Sequence, residues 1–182
     1  MAVRPSEQAD SSVQQRVIQR VYLASPLGFS PSGRLFMTHV IDALRRQDVT
    51  VLNPWDVSSD QVRLWQDSHG LRGANDLIGQ HNAELIQSAD AVFAILDGVD
   101  VDSGTASEIG YAYAHGKLVI GYRGDFRLAG DNAAARVNLQ VEYFIRASGG
   151  AVFAALDYAD HAEPGEEALR CAVACLVAGG RK

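Results

Sequence analysis

The chain has 182 residues, 47% of them hydrophobic, enough for one well-buried domain, and nothing in the composition suggests two. Twenty-two acidic against 16 basic residues give a formal charge of −6 with no basic stripe. That excludes nucleic acid or an anionic membrane as the main partner and favours a small, uncharged or weakly charged ligand. No apolar run approaches the roughly 20 residues of a membrane span, and Met1 to Gln15 lacks the apolar core of a signal peptide, so a cytoplasmic protein is expected.

Residues 1–16 are polar and without periodicity, which predicts a mobile tail ahead of a single domain over 17–182. Arg20 to Ala24 reads as the first strand, and the turn-rich stretch Ser25 to Gly33 leads into a helix with the apolar stripe Leu35, Phe36, Val40, Ile41 and Leu44. Val49 to Leu52 is the second strand. The polar segment Asn53 to Gly73 carries Trp55 and Trp65 and is too long for a plain connector, so it is a candidate lid or pocket wall. A helix over 74–88 precedes a buried strand, Ala91 to Leu96. A helix ending at Gly116, a strand from Lys117 to Tyr122, a short strand from Ala151 to Phe153 and a closing helix over 163–177 complete the chain. Cys171 and Cys175, four apart in an apolar stretch, are expected to face the core, and no Cys or His cluster has zinc spacing.

Strands alternating with helices at this spacing predict an α/β fold: a flavodoxin-like three-layer sandwich with a five-stranded parallel sheet. Strands one and three then lie side by side, with a crevice between their carboxyl ends. Tyr22, the 25–33 loop and the 97–108 loop would line it.

The 97–108 loop is where chemistry is expected. It packs Asp97, Asp100, Asp102 and Glu108 into twelve residues without a Lys or Arg. A local account exists: Thr105-x-x-Glu108 before an apolar run is a capping box, and Asp102, Ser103 and Gly104 suit a turn or N-cap. A hard cation also gathers carboxylates, but the spacing fails as a calcium loop: counted from Asp100, Gly104 takes a ligand position and Tyr111 stands twelfth. A phosphate at the helix start would be repelled by three aspartates. The remaining reading makes one carboxylate a nucleophile at an anomeric carbon, with its neighbours accepting hydrogen bonds from sugar hydroxyls.

Three stretches, Val21 to Leu27, Ser88 to Val92, and Asp102-Ser103-Gly104-Thr105-Ala106-Ser107-Glu108-Ile109-Gly110-Tyr111-Ala112, carry a resemblance, joined further on by Val137-Asn138-Leu139. Over residues 20–156 the chain resembles the nucleoside 2-deoxyribosyltransferases. The resemblance implies that Glu108 attacks C1′ of a 2′-deoxynucleoside, expels the base and holds the sugar covalently until a second base accepts it, with retention. Tyr22 would orient Glu108. Asp102, with Gly104 beside it, would hold the sugar near its 5′ end; related deoxynucleotide N-hydrolases tend to have serine there, so an aspartate favours nucleosides over nucleotides. Asn138 would reach into the site of a neighbouring subunit, which implies a homo-oligomer; as a local reading, it is a polar residue at a helix start. No metal or organic cofactor is expected; the partners are 2-deoxynucleosides and free nucleobases, in nucleoside salvage.

One position departs from the pattern. Some members carry an aspartate eight residues ahead of the Ala-Asp aspartate, against the leaving base, where this chain has Asn82. An amide cannot deliver a proton, so another acid such as Asp56 would serve, while Asn82 recognises a base edge. With water as acceptor the same pocket gives an N-glycosidase, and a non-catalytic nucleoside-binding domain is the alternative of another class. The Gly-Thr-x-x-Glu piece is shared with cytokinin-activating phosphoribohydrolases, whose preceding Pro-Gly-Gly is absent here.

Overall fold

A computed structural model describes residues 17–130, 132, 133 and 135–180, so the predicted N-terminal tail lies outside the described residues. Five strands form one parallel sheet: β1 (Arg20–Ala24), β2 (Thr50–Leu52), β3 (Ala91–Ile95), β4 (Leu118–Arg123) and β5 (Val152–Ala154). Their order is β2-β1-β3-β4-β5, the flavodoxin-like arrangement. Tyr22 of β1 lies level with Leu52 on one side and Val92 on the other.

Alternation along each strand assigns the faces. Val21, Leu23, Phe93, Ile95, Leu118 and Ile120 bury against α1 (Pro31–Arg45) and α5 (Pro164–Val177). Tyr22, Ala24, Val92, Ala94, Leu96 and Val119 face the opposite layer of α2 (Ser59–Ser88), α3 (Ser103–Ala114) and α4 (Leu139–Ala147). β3 is buried from end to end because both faces are covered, which is why it is a continuous apolar run. Each large aliphatic side chain buried this way contributes about 1.5–3 kcal/mol before entropy is subtracted.

Three expectations are corrected. In α1 the buried stripe is Met37, Val40, Ile41 and Leu44, while Leu35 is 77% exposed, because it lies on the opposite side of a 3.6-residue turn from that stripe. The segment after β2, read as a candidate lid or pocket wall ahead of a helix over 74–88, is itself largely helical: a short 3-10 turn over Pro54–Asp56 leads into α2, which already begins at Ser59 under a Ser58 cap. Gly70 interrupts this helix at φ 72°, ψ 174°, a conformation that side-chain-bearing residues avoid. Residues 65 and 81 would be about 24 Å apart along a straight helix. Their rings lie 6.4 Å apart, so the chain folds back at Gly70 and the 59–69 arm packs beside the 71–88 arm. Finally, the core face of α5 is Ala168, Leu169, Ala172, Val173 and Leu176. Cys171 and Cys175 flank it and are only partly buried, Cys175 against the core and Cys171 beside Glu167.

Candidate active site

The carboxyl ends of β1 and β3 deliver the chemistry-bearing groups to one place. β1 presents Tyr22 towards the α2–α4 layer, and α3 carries Glu108 over it; the Tyr22 hydroxyl donates to Glu108 Oε1 at 2.6 Å. This bond spans 86 positions of sequence and is made by folding alone.

The start of α3 explains why Glu108 is free to make it. The N-cap is Asp102, whose Oδ2 accepts from the Thr105 backbone N–H at 3.0 Å and lies 3.4 Å from Thr105 Oγ1. The Thr105–Glu108 capping box is therefore not formed. A helix that begins at Ser103 places Glu108 beyond the unsatisfied N–H groups of its first turn, so its carboxylate has no backbone to cap. Gly104 leaves room for this cap: a Cβ there would stand 3.0 Å from Asp102 Oδ2.

Burial pushes the Glu108 carboxyl up to about 7, and the charge of Asp102 adds to the rise, against the Tyr22 hydrogen bond, which favours the ionised form. Burial and the facing carboxylate push Tyr22 far above the usual phenol range, so it remains a hydrogen-bond donor. A carboxyl that exchanges its proton near neutrality, held by one phenol at a strand end, can serve as a nucleophile when ionised.

The other carboxylates of the loop each have their own donor, which is how the chain tolerates four together. Asp97 Oδ1 accepts from the Asp125 N–H at 2.8 Å, and Asp100 Oδ1 from the Val101 N–H at 2.7 Å. Burial nonetheless raises Asp97, outweighing the Asp125 and Gly124 N–H groups and nearby Arg123. The cation absent from the loop's own sequence comes from the next strand. Arg123 is 1% exposed, and it spends its donors on main-chain carbonyls. Nη1 donates to Leu96 O, Nη2 to Gly98 O at 2.9 Å and to Arg127 O at 2.7 Å, and Nε to Arg127 O at 3.3 Å. It thereby ties the β3 loop to the β4 loop. Beyond it, Arg127 pairs with Asp125 and holds that carboxyl well below the usual range. An arginine closing an otherwise apolar strand was the signal available in the sequence.

A cavity of about 620 Å³ opens between the end of β2 and the α2 hairpin, lined by Leu52, Asn53, Asp56, Trp65, His81 and Leu85 among others. Leu52 and Leu85 also pack against the cluster containing Tyr22, so the cavity lies on the same face of the sheet as the Tyr22–Glu108 pair, one strand away. Trp55 closes the neighbouring end of β1: its Nε1 donates to Ser25 O at 3.1 Å and its indole sits where a Cβ on Gly28 would be. A larger cavity, about 740 Å³, lies on the other face of the sheet around His39, Arg46, His161 and Glu166, and contains neither Tyr22 nor Glu108.

The remaining expected residues fall as follows. Asn82 lies on α2 one turn before Ile86, which packs against the Tyr22 cluster; its Oδ1 is buried and finds no hydrogen-bond partner among the described residues. Asp56 is at the exposed rim of the smaller cavity, where Oδ1 accepts from Asn53 Nδ2 at 2.8 Å, and no contact joins it to Glu108. Asn138 is the N-cap of α4, its Oδ1 accepting from the Gln140 N–H at 2.9 Å, so the local reading of this residue is realised within one chain. No group of three or more His, Cys, Asp or Glu among the described residues is arranged around a metal position, and no helix among them is long and apolar enough to cross a membrane.

The sequence model of the family described as nucleoside 2-deoxyribosyltransferase matches residues 21–147. Among solved structures, the chain is similar to a conserved protein from Enterococcus faecalis V583, with TM-score 0.60, 22% identity, and coverage of 83% of this chain and 99% of that one. It is similar to a 2-deoxyribosyltransferase from Bacillus psychrosaccharolyticus, with TM-score 0.56, 24% identity, and coverage of 78% and 90%. BlsM is a third, with TM-score 0.53, 18% identity, and coverage of 89% and 96%. At these identities the structural likeness establishes the fold. No curated protein sequence matches the chain significantly. The family match runs from β1 to the end of α4 and takes in Tyr22, Asp102 and Glu108, and on that ground the chain belongs to the nucleoside 2-deoxyribosyltransferase family.

Proposed function

We propose that this protein is an enzyme acting on nucleosides that moves a 2-deoxyribosyl group from one nucleobase to another through a covalent intermediate on Glu108. The observation that carries this is the Tyr22–Glu108 pair: a carboxylate with a single hydrogen-bond partner among the described residues, released from helix capping, at the carboxyl ends of adjacent parallel strands. Ionised Glu108 attacks C1′ as the bond to the base breaks, through an oxocarbenium-like transition state, and a second base attacks the ester from the face the first one left, with net retention. Tyr22 fixes the carboxylate's direction. Asp102, beside Gly104, accepts hydrogen bonds from the sugar near its 5′ end, and Asn82 offers its unpartnered Oδ1 to a base edge. Asp56 is assigned to the base side of the cleft, and Asn138 to the site of a neighbouring subunit in a homo-oligomer.

Water as acceptor makes the same machinery an N-glycosidase. The test is chromatographic: 2′-deoxynucleosides are incubated with the protein, each with and without a different free base. A new deoxynucleoside carrying the added base establishes transfer. Free base without exchange establishes hydrolysis, and binding without turnover leaves a nucleoside-binding domain. Comparable turnover of adenosine and 2′-deoxyadenosine would contradict the 2-deoxy preference, since a 2′-hydroxyl would crowd the attacking carboxylate.

A further inference from the structure

Cleaving an N-glycosidic bond leaves an electron pair on a ring nitrogen of the base, and a proton donor placed there lowers the barrier. Glu108 has the opposite task, the Tyr22 hydroxyl is engaged as a hydrogen-bond donor to Glu108, and Asn82 has no acidic proton. The donor must come from elsewhere in the cleft. Of the groups lining the cavity beside Tyr22, Asp56 and His81 are the ones that can carry a proton to a ligand. Asp56 sits at the exposed rim with its carboxylate engaged by Asn53 Nδ2. His81 is different. It lies one helical turn above Leu85, on the stripe of α2 that walls the cavity, against the indole of Trp65, and neither ring nitrogen has a hydrogen-bond partner among the described residues. An aromatic wall beside an unpartnered imidazole suits a planar heteroaromatic ring with a basic nitrogen at its edge.

We propose that His81 is the general acid that protonates the departing base and the general base that deprotonates the incoming one. This rests on the transferase reading above and deepens it. In the first half-reaction a Glu108 oxygen bonds to C1′, the C1′–N pair stays with the base, and the imidazolium proton passes to a ring nitrogen, leaving neutral base and neutral imidazole. In the second, a nitrogen of the acceptor bonds to C1′, its proton returns to the imidazole, and Glu108 leaves as carboxylate. The site regains its starting protonation after one exchange, so no further acid is consumed.

The test compares His81→Gln and His81→Phe with wild type on two donors: the unactivated deoxynucleoside that wild type turns over fastest, and 7-methyl-2′-deoxyguanosine, whose base is already cationic and leaves neutral. Circular dichroism and melting establish that the variants fold. For an enzyme that takes only pyrimidines, 2′-deoxyuridine and its 5-fluoro derivative, a better leaving group, form the pair. With the unactivated donor kcat is expected to fall about 10²–10⁴-fold. With the activated donor the loss is expected to be at least about tenfold smaller. Equal losses on both donors would make His81 a binding residue and overturn the proposal, as would variants as active as wild type. If wild type cleaves no deoxynucleoside at all, the transferase reading itself fails; activity that is lost in Glu108→Gln but kept in the His81 variants overturns the proton-transfer role alone.

Discussion

Two ionisable groups sit at the carboxyl end of the sheet, Arg123 buried and Glu108 half-buried, and the structure treats them oppositely. Arg123, ending β4, gives hydrogen bonds to three main-chain carbonyls and is closed off from solvent. Glu108, on α3, keeps one hydrogen-bond partner among the described residues, the Tyr22 hydroxyl, and burial raises its carboxyl to about 7. A charge whose hydrogen-bonding capacity is filled by backbone is a staple: it fixes where two loops run. A charge left with one bond retains lone pairs for a substrate, and the fold bears the desolvation that goes with this.

Glu108→Gln tests the reactive half of this contrast and carries the largest expected effect. Turnover should fall by more than about 10³-fold with nucleoside binding retained, as for removal of a nucleophile. The same variant should be more stable than wild type at pH 8 and equal to it near pH 4. Between the ordinary value of 4.5 and about 7 the unfolded chain has released a proton that the folded one retains, so wild-type stability declines across that window. The full shift corresponds to about 3 kcal/mol, readable as a difference in melting temperature that grows with pH. A gap that shrinks with pH would contradict the raised carboxyl.

Arg123→Met tests the other half. Three main-chain carbonyls lose their donor, the Leu96 carbonyl in a buried bond, which should destabilise the fold by about 1–3 kcal/mol in denaturant titration, with Arg123→Lys recovering only part of it, since an ammonium cannot span the guanidinium's fork. A loss under about 1 kcal/mol would mean that water replaces the side chain and that the two loops need no staple.

Tyr22→Phe should reduce kcat by about 10–100-fold and move the midpoint of the rising limb of activity against pH above about 7, because the lost hydrogen bond favours the ionised carboxylate. The smallest effect is expected from Asp102→Asn. Asparagine still caps α3, but the like charge beside Glu108 is gone, so the midpoint should move to lower pH by less than about one unit. Shifts in the same direction for both variants would break the account of how Glu108 is poised.

The alternation of short apolar runs with amphipathic stretches made the parallel sheet and its order legible in the chain, because burial on both faces writes itself into β3 as an unbroken apolar run, Ala91 to Ile95. The acidic stretch after it marked the candidate site for the same reason: charge at the end of a buried strand has to be provided for. Local rules then reached their limit. Thr105 and Glu108 match a capping box in spacing, yet Asp102 caps the helix, since two candidate caps three residues apart are decided by how α3 docks on the sheet. Tyr22 and Glu108 meet across 86 residues, and Arg123 reaches carbonyls 25 and 27 positions away. Trp65 comes to His81 only because Gly70 reverses the helix. Sequence by itself determined the five strands, most of the helices and where carboxylates gather, since these follow from periodicity and neighbouring residue types. Tertiary structure alone decided which charge is satisfied and which is left open, because that depends on partners brought close in space from distant parts of the chain, and desolvation acts on the neighbourhood a group ends up in.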